Sequence, residues 1–304
     1  MYVSQIQVNH RATYLAACDD AGDVRVLDLK THKWMRPLAR QHDNIAMSVQ
    51  FVPKKDLQAL SGGMDKLVVA WDFYKGRATQ TIETDPPQPE NVQSNQLFNP
   101  PFVHSVAIHP SGTRAAVGLG DGTIQFLHTS VDPPTAPSEP EETSSLSTAT
   151  TAASKKSKKK AASANKGTDG WLIGGRLSEA HATPIATIEY AGFDPGWLVT
   201  SASNGSIAIW DDHAARYESM QRQQLLQQLQ AQQKQQPVQA QEVQLPYGRP
   251  LQPLQEFKVT NVFERVNCIS TSKVAEGEKK LFVAGTHARV GDKKNQGRIA
   301  VYHV

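Results

Sequence analysis

The chain has 304 residues, of which 39% are hydrophobic, and a formal net charge of +3 at pH 7. The hydrophobic share is below the roughly 45–50% of an average globular protein, so part of the chain is expected to lie outside any core. The small charge gives no indication of a nucleic-acid partner, and no apolar run reaches the roughly 18 residues of a membrane span. Cys18 and Cys268 form no disulfide framework, which favours the cytoplasm or the nucleus.

Residues 1–130 consist of short, β-branched or aromatic runs bounded by Gly, Asp or Asn, such as "VRVLDL", "LVVAWDF" and "TIQFLH". This pattern predicts strands, with a long loop over the Pro-, Asn- and Gln-rich residues 85–101. Similar runs return in residues 170–213 ("TIEY", "SIAIWD") and residues 251–304 ("LFVAG", "RIAVYHV"). The chain is therefore predicted to be all-β outside its inserts.

Two inserts separate these three stretches. Residues 131–169 are rich in Ser, Thr, Ala, Pro and Lys and hold few large apolar side chains, so we expect them to be disordered. Residues 214–250 are rich in Gln, with Leu, Arg and Ala among them, and these residues favour a protruding helix. The lysine run "KKSKKK" in the first insert is either a solvated charged segment or a nuclear import signal.

The strands recur with a fixed period. Each unit ends in a strand that carries an aromatic residue or leucine followed by a polar residue; these anchors are Leu27, Trp71, Leu127, Trp210 and Tyr302. Leu27 and Trp71 are 44 residues apart, and so are Leu127 and Trp210 once the 39-residue insert is subtracted. A period of about 40–45 residues with a Trp-Asp ending is typical of β-propeller blades. We therefore assign blades one to three to residues 1–130, the fourth blade to residues 170–213 and the last blade to residues 251–304.

The second unit, "ALSGGMDKLVVAWDF" with the preceding histidine, resembles the WD-repeat β-propeller family. That resemblance implies a structural tetrad of His42, Ser61, Asp65 and Trp71, joined by hydrogen bonds. The alternative is a catalytic Ser-His-Asp triad. It is less favoured because Ser61 lies within a strand and no "GxSxG" elbow surrounds it.

The other units follow the tetrad pattern less well. In the fourth unit, His181, Thr200, Asn204 and Trp210 occupy the four positions, with Asn204 in place of the carboxylate as the expected acceptor. The third unit keeps Asp121 but has apolar residues at the hydroxyl and indole positions, and the first unit has no polar member. Apolar packing alone is expected to hold these two blades.

Residues 1–130 and the final "KLFVAGTHARVGDKKNQGRIAVYHV" also resemble one subfamily of WD-repeat propellers. Its members look like seven-bladed rings that serve as substrate receptors of cullin-RING ubiquitin ligases, docking on the ligase adaptor through a Trp-Asp-x-Arg/Lys box. The resemblance implies an incomplete ring of five blades, with about two N-terminal blades absent from this sequence. Only the first blade has a cation at the Arg/Lys position of this box, namely Lys30, with Asp28 at the Asp position. The alternative interpretation is that Asp28 and Lys30 only cap a turn between two strands.

Two function classes remain at this point. The first is a non-enzymatic protein-interaction scaffold, in its sharpest form a ligase substrate receptor with protein partners and no nucleic acid, membrane or cofactor. The second is an enzyme or small-molecule binder that uses the propeller channel. The first is favoured because the sequence shows no catalytic constellation and no metal-ligand pattern beyond the tetrads.

Overall fold

A computed structural model describes most of the predicted strands and part of the second insert. The described residues are 2–39, 42–84, 99–132, 170–235, 252–259, 263, 265–273, 278–287 and 296–304. They form five antiparallel sheets and one helix, so the all-β prediction is confirmed. The insert predicted to be disordered lies outside the described residues except for its first two positions.

The first two sheets each contain four strands in sequence order. The first blade consists of β1 (Val3–Val8), β2 (Tyr14–Asp19), β3 (Val24–Asp28) and β4 (Lys33–Trp34). The second blade consists of β5 (Ala46–Phe51), β6 (Gln58–Gly63), β7 (Leu67–Asp72) and β8 (Arg77–Glu83). These are the meandering four-stranded sheets expected of propeller blades.

The third and fourth blades are each completed by a strand that follows an insert. The third contains β9 (Val103–Ile108), β10 (Arg114–Leu119), β11 (Ile124–Thr129) and β12 (Trp171–Leu177). The fourth contains β13 (Ile185–Tyr190), β14 (Trp197–Ala202), β15 (Ser206–Asp211) and β16 (Gln255–Lys258). The expected start of the fourth blade at residue 170 is therefore wrong, because β12 pairs with β11 across the insert.

The Gln-rich insert begins with helix α1 (Asp212–Gln235), directly after β15. The predicted helix is confirmed for this part, and residues 236–250 of the insert lie outside the described residues. The fifth blade contains β17 (Arg265–Lys273), β18 (Lys279–His287) and β19 (Gln296–His303).

Neighbouring blades pack face to face through apolar side chains. Each of four interfaces between blades holds one buried cluster. Its members include Val49 between blades one and two, Leu60 between two and three, Ile188 between three and four, and Ile269 between four and five. Each sheet between two others buries both faces, which explains the almost fully buried middle strands β6, β10 and β14.

Hydrogen bonds between the first strands of successive blades repeat around the arrangement. The backbone N–H of Val49 donates to Gln5 Oε1 over 2.7 Å, and that of Val106 donates to Ser48 Oγ over 3.0 Å. In the same way, Ile188 N–H donates to Ser105 Oγ over 3.2 Å, and Thr271 N–H donates to Glu189 Oε1 over 3.2 Å. The first strands therefore line the centre, as in a propeller.

The outer faces of the first and last described blades carry exposed apolar side chains. Gln5 and Gln7 of β1 point to the second blade, so Ile6 between them points away, and it is 60% exposed. On β19, Ile299 is 75% exposed and Val301 is 48% exposed. Among the described residues, no further sheet covers these two faces.

Candidate functional site

Four side chains of the second blade form one hydrogen-bonded chain. His42 Nε2 lies 2.7 Å from Ser61 Oγ, and His42 Nδ1 lies 3.0 Å from Asp65 Oδ2. Trp71 Nε1 donates to Ser61 Oγ over 2.8 Å. A carboxylate only accepts, so in the neutral imidazole Nδ1 carries the proton and Ser61 Oγ–H donates to Nε2. The structure thus brings together all four residues of the predicted tetrad.

Ser61, His42 and Asp65 are connected in the same order as the members of a Ser-His-Asp triad. They differ from a triad in that the serine and the histidine are fully buried. Ser61 and His42 are 0% exposed, and Trp71 is 2% exposed. A nucleophilic serine must reach a substrate carbonyl beside an oxyanion hole. Ser61 Oγ instead contacts the imidazole on one side and the indole on the other, within the packed blade. The arrangement fastens the segment before β5 to β6, β7 and the turn that joins them.

The carboxylate of Asp65 is held ionised by its neighbours. Burial by itself would raise the pKa of Asp65, but the hydrogen bond from His42 acts in the opposite direction. The backbone N–H groups of Leu67 and Asp43 add further bonds, 3.2 and 3.1 Å long, to the same carboxylate. The pKa of Asp65 is lowered as a result. This turn is therefore fixed by charge-assisted bonds from both side chain and backbone.

The fourth blade repeats the chain with one different member. His181 Nε2 lies 2.7 Å from Thr200 Oγ1, and Trp210 Nε1 donates to the same oxygen over 2.9 Å. The partner of His181 Nδ1 is Ser206 Oγ, at 2.9 Å, so the prediction that Asn204 would fill this position is wrong. The side chain of Asn204 is occupied within its own turn, where Oδ1 accepts from Ser206 N–H. With a hydroxyl instead of a carboxylate as the partner of Nδ1, burial lowers the pKa of His181 to about 4.

Polar turns also stabilise the first and third blades, contrary to the expectation of apolar packing alone. In the first blade, buried Asp19 accepts from the N–H groups of Ala21 and Asp23, both over 3.0 Å. In the third blade, Asp121 forms an ion pair of 2.7 Å with Arg176. A turn with buried N–H groups requires acceptors, so an aspartate is useful in these blades even where the histidine is missing.

The candidate docking residue Asp28 is the last residue of β3, and Lys30 lies in the turn that follows. Asp28 Oδ1 accepts from the backbone N–H groups of Lys30, at 2.8 Å, and of Thr31, at 3.2 Å. The bonds from Thr31 and then Lys30 lower the pKa of Asp28. Asp72 and Asp211 accept similar bonds after β7 and β15. Asp28 therefore caps a turn, which agrees with the alternative interpretation of Asp28 and Lys30 as a turn cap. The side chain of Lys30 is exposed.

Helix α1 begins in a buried ionic cluster that the sequence patterns did not indicate. Asp212, the first residue of the helix, is 0% exposed, and Arg114 Nη1 of β10 donates to its carboxylate over 2.8 Å. The hydroxyl of Tyr190 donates to the other carboxylate oxygen over 3.0 Å. Arg216, one turn later, donates to the carbonyl of Leu127 over 3.1 Å. Burial nonetheless raises the pKa of Asp212 above its ordinary value.

The second turn of α1 lies against a glycine pair in β12. A Cβ atom at Gly175 would collide with Ser219 Oγ and the backbone nitrogen of Met220. The carbonyls of Gly174 and Gly175 both accept from the side chain of Gln125. The absence of a side chain therefore allows the helix to approach the outer strand of the third blade closely. The base of α1 is part of the propeller rather than a flexible appendage.

Within the described part of the chain, no group of three His, Cys, Asp or Glu residues is arranged to hold a metal ion. The described helix is too polar to cross a membrane.

Comparison with known proteins identifies WD-repeat relatives. No family model matches the chain. It is 32% identical over 134 residues, 40% of its length, to the WD repeat-containing protein 53 homolog of Dictyostelium discoideum. It is 35% identical over 104 residues, 33% of its length, to WD repeat-containing protein VIP3 of Arabidopsis thaliana. The matches span 36% and 31% of those two relatives. The described sheets have the arrangement of five β-propeller blades, and part of the sequence is similar to these two WD-repeat proteins.

Proposed function

We propose that the chain is a non-enzymatic protein-interaction scaffold that acts as a substrate receptor of a cullin-RING ubiquitin ligase. WD-repeat propeller proteins generally act as scaffolds for protein partners. The buried tetrads support the same role, because their polar groups are consumed in joining strands: His42 and Ser61 are 0% exposed. The surfaces available for binding are then the exposed turns and edges of the blades, which suit contacts with other proteins.

The observation that carries the ligase proposal is the turn after β3. Lys30 stands three residues after Leu27, the tryptophan position of the first blade, and its side chain is exposed. Asp28 fixes the backbone of this turn by accepting from the N–H of Lys30. A cation held at a rigid turn can reach an acidic or carbonyl group of an adaptor with little further ordering. The corresponding positions after Trp71 and Trp210 are Tyr74 and His213, which are not fixed cations.

Co-precipitation of the ligase adaptor with the full chain tests this proposal. Wild-type protein is expected to retain the adaptor, and Lys30→Glu is expected to lose it because the charge at the contact is reversed. Lys258→Glu is the matched control, since Lys258 is an exposed lysine on the fourth blade. Retention of the adaptor by Lys30→Glu at the wild-type level would eliminate docking through this turn.

The lysine run "KKSKKK" lies outside the described residues, and its role in nuclear import stays a prediction. A receptor of this kind is proposed to work in the cytoplasm, the nucleus or both. Replacing the five lysines with alanine in a fluorescent fusion and imaging its distribution tests this part. An unchanged distribution would show that the run is a solvated charged segment and not a nuclear import signal.

A further inference from the structure

The rim of the first blade holds a groove beside its outer strand. The groove has a volume of ≈ 270 Å³ and lies between β3 and the segment that follows β4. We call it the Trp34 groove and define it by five lining residues: Arg25, Trp34, Met35, Arg36 and Leu38.

The groove exists because the outer strand of this blade is unusually short. β4 has two residues, whereas the outer strands of blades two and three have seven each. Leu27 pairs with Trp34, and the N–H of Met35 donates to the carbonyl of Val26, so the same register places Pro37 opposite Val24. Proline has no N–H to donate to that strand, so the ladder stops. The chain then leaves β3 and opens the groove.

The floor of the groove is apolar and its edge is aromatic. Met35 and Leu38 are half-buried and pack against the core between the first two blades, and the buried indole of Trp71 also borders the cavity. Trp34 is 59% exposed. An indole left in water beside an apolar cavity is typical of a binding surface, because tryptophan contributes strongly at interfaces when a partner covers it.

The surroundings of the groove are basic. Lys30, Lys33 and Arg36 are exposed and form no ion pair with any described residue. Arg25 is paired with Asp23 over 2.9 Å, and Asp28 lies opposite Lys33 in the β3–β4 pairing, so four cations stand beside two carboxylates. Unpaired cations of one sign around an apolar cavity favour a partner of opposite charge.

We propose that the Trp34 groove binds an extended acidic segment of a partner protein, with one large apolar side chain of that segment inserted beside Trp34. The cavity accommodates a single side chain of the size of leucine or phenylalanine, and the cations flank it on the exposed rim. A nucleic acid fits less well, because its phosphates require a long basic track rather than a short edge with an apolar floor. This inference rests on the role as an interaction scaffold, but not on docking to the ligase adaptor.

The test is fluorescence anisotropy with three labelled probes and the full chain. The first is a short peptide of Glu and Asp with one central Phe, the second has Ala in place of that Phe, and the third is single-stranded oligo(dT). The first peptide is expected to bind wild-type protein at least about tenfold more tightly than the second. Its affinity should fall with added salt, since exposed charges contribute.

Variants locate the site. Trp34→Ala and Arg36→Glu are each expected to weaken binding of the Phe peptide by at least about tenfold. Tyr2→Ala, at an aromatic residue that is 81% exposed elsewhere on the blade, and Lys258→Glu, on the fourth blade, should stay within about twofold of wild type. Because Trp34 and Arg36 are both exposed, circular dichroism should show all four variants folded.

Three results would overturn the proposal: equal affinity for the Phe and Ala peptides, binding of the Phe peptide unaffected by both groove variants, or tighter binding of oligo(dT) than of the peptide. Each leaves the ligase proposal open, because adaptor co-precipitation is measured separately with Lys30→Glu. Conversely, failure of the wild-type chain to retain the adaptor, with intact binding of the Phe peptide, would remove the ligase role and keep the groove.

Discussion

Replacing His42 with alanine should destabilise the second blade without affecting any activity. The change removes the bond from Nδ1 to Asp65 and the bond between Nε2 and Ser61. The carboxylate of Asp65 keeps the hydrogen bonds from the backbone N–H groups of Asp43 and Leu67. Ser61 keeps the indole donor of Trp71 but loses the acceptor for its own proton.

The magnitude follows from these losses. Loss of one hydrogen bond to the largely buried carboxylate of Asp65 costs about 1–3 kcal/mol. A buried hydroxyl proton without an acceptor, on Ser61, costs about 1 kcal/mol more. We therefore expect the free energy of unfolding to fall by about 3 kcal/mol. For a folded part of roughly 200 residues, that corresponds to a decrease in Tm of about 6–12 °C.

The assay is thermal and urea unfolding followed by circular dichroism, with hydrolysis of a p-nitrophenyl ester measured on the same samples. His303→Ala is the control, because His303 is exposed at the end of β19 and should leave Tm unchanged. A Tm of His42→Ala equal to wild type, or an ester hydrolysis that wild type performs and His42→Ala does not, would refute the structural interpretation.

Three further variants test the fourth blade and the base of α1. The folded-state pKa of His181, about 4, lies below its ordinary 6.5, so stability should fall by about 2 kcal/mol as pH drops from 7 to 5; His181→Gln should reduce that slope in urea titrations. Gly175→Ala should cost about 1–3 kcal/mol and speed proteolysis within α1, whereas Gly196→Ala, which meets only a nearby side-chain oxygen, should do neither. Arg114→Met should lower the free energy of unfolding by about 3–5 kcal/mol, because the buried carboxylate of Asp212 loses its ion-pair partner; an unchanged urea midpoint would contradict this.

The sequence by itself determined the repeat, the all-β class and the members of the second-blade tetrad. These features depend on residues within one blade, where hairpin turns bring short stretches of chain together. Ser61 and Trp71, for example, are ten positions apart and meet across one pair of strands. Strand periodicity and turn residues are local properties, so a pattern can predict them.

Only the tertiary structure decided which groups meet between blades. Arg114 and Asp212 are separated by 98 positions and pair because α1 begins beside the third blade. The partner of His181 is Ser206 rather than Asn204, whose side-chain oxygen accepts from the backbone N–H of Ser206 within the same turn. The Trp34 groove depends on where the chain leaves β3. Contacts of this kind are set by how sheets stack, and stacking geometry leaves no period in the sequence for a pattern to detect.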